Sequence, residues 1–288
     1  MSERIIPRRT EGSDDRETTD ATGSTDGSEF EGEDLVVGYG DDPVVDGESV
    51  AVPAGEVTAL VGPNGSGKST LLKALADQLS PESGTVRVDG REVHDMGTKE
   101  LARKVGLLSQ ENVAPGSLTV EDLVAHGRYP HRGTFESVDE DDVAAVDRAV
   151  SLAGIDHLRD AEVGSLSGGQ KQLAWIAMAL AQETDVLLLD EPTTFLDLHH
   201  QLEVMEIVET LRDESDTTVV LVLHDISQAA RHADHVLAMK DGEILARGPP
   251  EEVVTEELLR DVFRVEATVN YCMNGPRIVP QSAYHDEE

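Results

Sequence analysis

The 288 residues suffice for one large domain or two small ones, and 39% of them are hydrophobic, enough for a packed core. Asp and Glu total 58 against 23 Lys and Arg, a formal net charge of −35, which disfavours nucleic acid and anionic lipid surfaces as partners. No apolar run approaches the length of a bilayer span, and the one cysteine, Cys272, excludes a disulfide within the chain, as suits a reducing compartment.

Residues 1–33 hold ten carboxylates, many Ser, Thr and Gly, and few large apolar side chains beyond Ile5, Ile6 and Phe30. A disordered acidic tail is expected there, without the apolar segment of a secretory signal, so the chain is expected to stay in the cytoplasm. Short strands are predicted over 35–37 and 49–52, and a fully buried one over Val57–Val61. A helix over 67–79 places Leu71, Leu72, Leu75 and Leu79 on one face. Residues 85–93 read as a hairpin turned at Asp89-Gly90. From about 111 to 166 the pattern becomes a helical insert, with Val143, Val146, Val150 and Ala153 at helical spacing.

Alternation of strands and helices then returns. A helix over 167–182 precedes a buried strand over 186–189 and a helix over 198–211. A strand over 218–223, a helix over Ile226–His232 and a hairpin turned at Asp241-Gly242 follow. Beyond Phe263 the sequence is too irregular to assign. Buried apolar strands alternating with helices predict an α/β fold with a parallel sheet covered on both faces. No repeat is evident, so one such domain is expected rather than a fused pair. The acids are spread along the whole chain, the pattern expected of adaptation to high salt, where ions screen carboxylate repulsion.

Gly62-Pro63-Asn64-Gly65-Ser66-Gly67-Lys68-Ser69-Thr70 follows a buried strand and opens a helix, the setting a phosphate-binding loop needs. Its glycines let backbone N–H groups turn towards phosphate, and the helix N-terminus adds positive potential. Lys68 offers a cation to the β- and γ-phosphates, and the Ser69 hydroxyl a ligand to Mg²⁺. Val186-Leu187-Leu188-Leu189-Asp190-Glu191-Pro192 is an apolar strand ending in two carboxylates at the sheet edge where α/β folds bind ligands. Asp190 is suited to hold Mg²⁺ through water, and Glu191 to polarise an attacking water. Leu166-Ser167-Gly168-Gly169-Gln170 reads as an N-cap serine before a helix whose exposed N–H groups form an anion site.

That pentapeptide, followed by a helix and the Asp-Glu strand, resembles the signature of the ATP-binding cassette (ABC) ATPases. The resemblance covers about residues 34–265, leaving 266–288 as a C-terminal extension. It implies a P-loop core with a parallel sheet, an antiparallel β subdomain and the helical insert, and ATP and Mg²⁺ as cofactors. Gln110 matches the Q-loop glutamine, which senses Mg²⁺ and the membrane partner. Leu196-Asp197 match the D-loop, which crosses the dimer seam. His224 matches the switch histidine at the γ-phosphate, and Tyr39 the aromatic that stacks on adenine. In this family the signature, Leu166 to Gln170, caps ATP held by a second copy of the chain, so each site is shared between two protomers.

Val120-Glu-Asp-Leu-Val-Ala-His-Gly-Arg-Tyr-Pro-His131, Ala174-Trp-Ile-Ala-Met-Ala-Leu-Ala-Gln182, Asp190-Glu-Pro-Thr-Thr-Phe-Leu-Asp-Leu198 and Gln228-Ala-Ala-Arg-His-Ala-Asp234 are similar to the importers of iron(III)-siderophores, cobalamin and haem, and most to the siderophore branch. The resemblance implies a homodimer on the cytoplasmic face of the membrane, two transmembrane permease subunits, an extracellular substrate-binding protein acting indirectly, and no nucleic acid. An exporter subunit and a soluble cassette protein are the other readings. His224, His232 and His235 are not expected to form a metal cluster. His199 and His200 are expected to start a helix beside the D-loop, and Tyr129 and Trp175 to be packing residues.

Overall fold

The computed structural model describes residues 29–40, 42–133, 138–272 and 275–285. Inward-facing Phe30, Leu35 and Val37 build the first strand, β1 (Phe30–Gly38), which pairs antiparallel with β2 (Pro43–Val52). The expectation of a strand over 35–37 is therefore too short. Phe30, 1% exposed, pairs with Val52 and Val88. Glu31 and Glu33 lie on the opposite face, where Arg87 meets Glu33 at 2.6 Å. Their acidity gave this segment the composition of a tail. The expected disorder further upstream concerns residues that, to 28, lie outside those described.

β3 (Val57–Val61) is buried throughout and leads into α1 (Lys68–Leu75). The helix stops short of the expected 79, because Asp77 takes a left-handed conformation, φ +55°. β4 (Ser83–Val88) and the short β5 (Arg91–Glu92) form the expected hairpin and complete an antiparallel sheet of order β2-β1-β4-β5. α2 (Thr98–Lys104) buries no residue fully, so it shows no apolar stripe and has no periodic signal in the sequence. It runs directly into β6 (Val105–Leu108).

The insert forms two helices that pack on a third. α3 (Val120–Ala125) opens with a capping box between Thr119 and Asp122. α4 (Glu140–Leu152) is capped by Asp139 and carries three acids in its first turn, the favourable sign for a helix N-terminus. Val146, Val150 and Ala153 are buried as their spacing requires, whereas Val143 is half exposed. Both helices rest on α5 (Gly168–Ala181). Arg128, just past α3, ties the layer together. Its guanidinium donates to Asp142 at 3.0 Å, to the Ala181 carbonyl at 2.9 Å and to Glu183 at 2.8 Å. Tyr129 is a correction: its ring is more than half exposed and sets its edge on His126 instead of entering the core.

β7 (Val186–Asp190), α6 (Leu198–Glu214), β8 (Thr218–Val222), α7 (Ile226–His232), β9 (His235–Lys240) and β10 (Glu243–Gly248) complete the main sheet. Its order is β10-β9-β3-β8-β7-β6, parallel except at β10. Alternate residues feed two cores. Leu187, Leu189, Val219 and Leu221 face the helices α5 to α7, while Val186, Leu188, Val220 and Val222 face α1 and the antiparallel sheet. Burial on both faces is why these strands read as unbroken apolar runs. After α8 (Pro250–Val253) and α9 (Glu256–Asp261), the unassigned C-terminal stretch forms a hairpin of β11 (Val265–Cys272) and β12 (Gly275–Ala283). It packs on α7 and α9.

Candidate active site

The site lies at the C-terminal ends of the parallel strands, around a cleft of about 570 Å³. The loop after β3 makes one wall. Gly62, Gly65 and Gly67 all take positive φ. A Cβ on Gly62 would run into the Met239 carbonyl, so only glycine lets the loop lie this close to β9. Lys68 is buried, and its ammonium donates to the carbonyls of Gly62 and Pro63, each at 2.9 Å. Burial lowers its pKa from the ordinary value, opposed by the charges of Glu191 and Asp190.

β7 delivers the acids. Asp190 is buried and accepts a 2.7 Å hydrogen bond from the Ser69 hydroxyl. Burial pushes its carboxyl above the ordinary range; the Ser69 bond opposes this and the charge of Glu191 adds to it. Glu191 holds φ +54°, a strained conformation for a non-glycine residue, which turns its carboxylate into the cleft. There Gln110, past the end of β6, donates to its Oε2 at 2.6 Å. His224, past the end of β8, brings Nε2 to 2.7 Å from its Oε1. The Thr194 hydroxyl donates to Oε2 at 3.2 Å. Two residues from the neighbouring strand ends, and one from the loop of Glu191 itself, thus converge on one carboxylate.

Asn64, Gly65, Gly67, Lys68, Ser69, Thr70, Gln110, Glu191 and His224 all line the cleft. Val44, Thr194 and Phe195 line it too, none of them expected as a site residue from the sequence. Phe195 combines φ +62° with 97% exposure, an apolar ring held out of the core. Tyr39, at the end of β1, is largely exposed and is not among the described lining residues.

Nor is the signature among them. Ser167 caps α5, its hydroxyl accepting from the Gln170 N–H while the Gln170 side chain accepts from the Ser167 N–H. Leu166 is buried and anchors the turn. Gly168 leaves its Cβ position open, whereas the His200 ring lies where a Cβ on Gly169 would go. Asp197 caps α6 and is 2.8 Å from His200 Nδ1. The backbone N–H of His200 is the main cause holding the Asp197 carboxyl below its ordinary range. His232 and His235 face separate carboxylates, His232 meeting Glu209 and His235 meeting Glu56, each at 2.8 Å.

The group can do phosphoryl chemistry. A loop of backbone N–H donors, a buried cation, a hydroxyl beside a carboxylate, and a second carboxylate flanked by an amide and an imidazole suit a nucleoside triphosphate and a water. Hard oxygen donors are what Mg²⁺ prefers. Ser69 and Asp190 supply two of them in contact, leaving the remaining positions for water and phosphate.

Comparison with known proteins agrees with this chemistry. The ABC transporter family profile matches residues 45–194. The ferric enterobactin transport ATP-binding protein FepC of Escherichia coli is 46% identical over 86% of this chain and 93% of its own length. The probable siderophore transport system ATP-binding protein YusV of Bacillus subtilis is 46% identical over 82% of this chain and 86% of its own. Among solved structures, an inward-facing metal-chelate-type ABC transporter superposes with TM-score 0.76 at 28% identity, covering 89% of this chain and 98% of the other. A dimeric bacterial ABC transporter cassette gives 0.69 at 27%, over 76% and 98%. With its phosphate loop, paired carboxylates and signature in place and its relatives at this distance, the chain belongs to the ABC transporter family and is an ATPase cassette of it.

Proposed function

We propose that this cassette energises a membrane importer of iron(III)-siderophore chelates, working as a homodimer with ATP and Mg²⁺ at the seam. The observation carrying the shared-site reading is the separation of the two half-sites. Glu191, Gln110 and His224 converge over the phosphate loop, while Leu166 to Gln170 stand apart from that cleft. A second copy, placed head to tail, would bring its signature to the open side.

Lys68 exchanges the carbonyls of Gly62 and Pro63 for β- and γ-phosphate oxygens. Ser69, Asp190 and Gln110 would hold Mg²⁺, which would supply charge neutralisation at the phosphates. Tyr39 stacks on adenine. Glu191 orients and polarises the water that attacks the γ-phosphorus, and His224 contacts the γ-phosphate. The partner's signature donates Ser167 and the N-terminus of α5 to the same phosphate, and Asp197 crosses the seam. Cleavage adds charge there and favours opening, a ligand-driven shift between two dimer states.

Cargo and location rest on the relatives, whose names include enterobactin, petrobactin and hydroxamate transport. By that likeness the cassette sits on the cytoplasmic face of the membrane, bound to two permease subunits, with a substrate-binding protein outside. No helix among the described residues is long and apolar enough to cross a membrane. Reconstitution with the co-encoded permease and binding protein in proteoliposomes tests the cargo. ATP-dependent uptake of a ferric siderophore is expected; uptake of cobalamin or haem in its place would overturn the assignment.

A further inference from the structure

Behind the cleft, a chain of neutral side chains runs between the element that carries the switch histidine and the D-loop. The buried Thr193 hydroxyl donates to Gln228 Oε1 at 3.1 Å. Gln228 Nε2, on α7, donates to Gln201 Oε1, on α6, at 3.0 Å. Gln201 Nε2 then donates to the carbonyl of Leu196 at 3.0 Å. Every link has a donor facing an acceptor, so both amide orientations are set by the whole row. One residue from Gln201, His200 holds Asp197 through Nδ1 and lays its ring on Gly169. His224 stands just ahead of Asp225, the N-cap of α7.

Taken together, these contacts join three parts of one protomer. The helix that follows His224 is linked to the D-loop through Gln228 and Gln201, and the D-loop to the signature through His200. Under the shared-site reading proposed above, on which this inference rests, His224 addresses the protomer's own ATP, whereas Asp197 and Gly169 address its partner's. We propose that Gln228, Gln201 and His200 are positioning residues that yoke the two, so that the γ-phosphate met by His224 in one site sets the groups offered to the other. None of the three lines the cleft. Their effect is therefore on the geometry of the seam and not on nucleotide contact within one chain.

A row in series makes a specific demand. Breaking any link loses the same coupling, and breaking two loses no more. The test uses the full-length chain with Gln201→Ala, Gln228→Ala, the double substitution and His200→Ala. Each is measured for ATP binding by the monomer, for ATP-induced dimerisation in a Glu191→Gln background, and for kcat and KM otherwise. The expected result is dimerisation and kcat lowered at least about fivefold, the low end of typical coupling between sites, with monomer affinity and KM within about twofold. The double variant should match either single one.

Dimerisation and kcat within about twofold of the parent in the Gln variants would overturn the yoke, as would losses that multiply in the double variant. Monomer ATP affinity falling in step with turnover would also overturn it, because that marks damage to the fold. Should Gln228→Ala lose its cooperative melting transition, Gln201→Ala decides alone. If the Glu191→Gln parent itself binds ATP and never dimerises, the shared-site reading fails before the yoke is reached.

Discussion

Glu191 and His224 stand 2.7 Å apart just beyond the ends of the neighbouring strands β7 and β8, and the other Glu191 oxygen accepts from Gln110 at 2.6 Å. The carboxylate is thus held from both sides in a position to receive a water. Glu191→Gln keeps the shape and one oxygen but cannot take a proton. Turnover is expected to fall by about 10²–10⁴, the usual share of general-base catalysis, with ATP binding retained and a dimer trapped. Steady-state hydrolysis and gel filtration with ATP check this; hydrolysis at the parent's rate would remove Glu191 as the base.

The signature prediction depends on the cap. Ser167 and Gly168 are exposed at the start of α5, and the open Cβ position of Gly168 lets a phosphate approach. Ser167→Arg fills that approach with a long side chain. One protomer should still bind nucleotide, because its phosphate loop is untouched, while ATP-dependent dimerisation is lost. Normal dimerisation of this variant would take the signature out of the mechanism.

Acid sensitivity should trace partly to Asp142. Burial works against its charge, but hydrogen bonds from Arg132 and Arg128 prevail and hold the carboxyl below its ordinary range. A depressed folded-state pKa contributes stability above the unfolded pKa, about 3.9, that is lost as pH falls through the folded one. Asp142→Asn leaves the buried Arg128 with Glu183 as its remaining carboxylate partner, so the loss at neutral pH should stay below the about 3–5 kcal/mol of a buried charge left wholly unpaired. The gap to the parent should narrow on acidification below the unfolded pKa. A gap that stays constant with pH, measured by denaturant titration, would show that Asp142 charge is not the cause.

A net charge of −35 predicts how stability depends on salt. Repulsion among carboxylates weakens as the Debye length shrinks to about 3 Å at molar ionic strength. We expect the melting temperature to rise continuously from low to molar KCl, the behaviour of a chain adapted to concentrated salt. A flat or falling curve would reject that adaptation.

Much of this molecule is written locally. The phosphate loop, the strand ending in Asp190 and Glu191, and the signature are each contiguous, and their flanking periodicity marks strand or helix without tertiary help. Position along the sheet is different. Gln110 and Glu191 are 81 residues apart, and they meet because crossover connections set the order β8-β7-β6. The start of β1 was hidden because outward Glu31 and Glu33 outweigh inward Phe30 in any compositional reading. The pairing of Gln201 with Gln228, and of Arg128 with Asp142, left no trace in the one-dimensional pattern. Polar side chains carry no periodic signal of burial, and only the packing of α6 against α7, or of the α3 end against α4, decides whether each finds a partner or water.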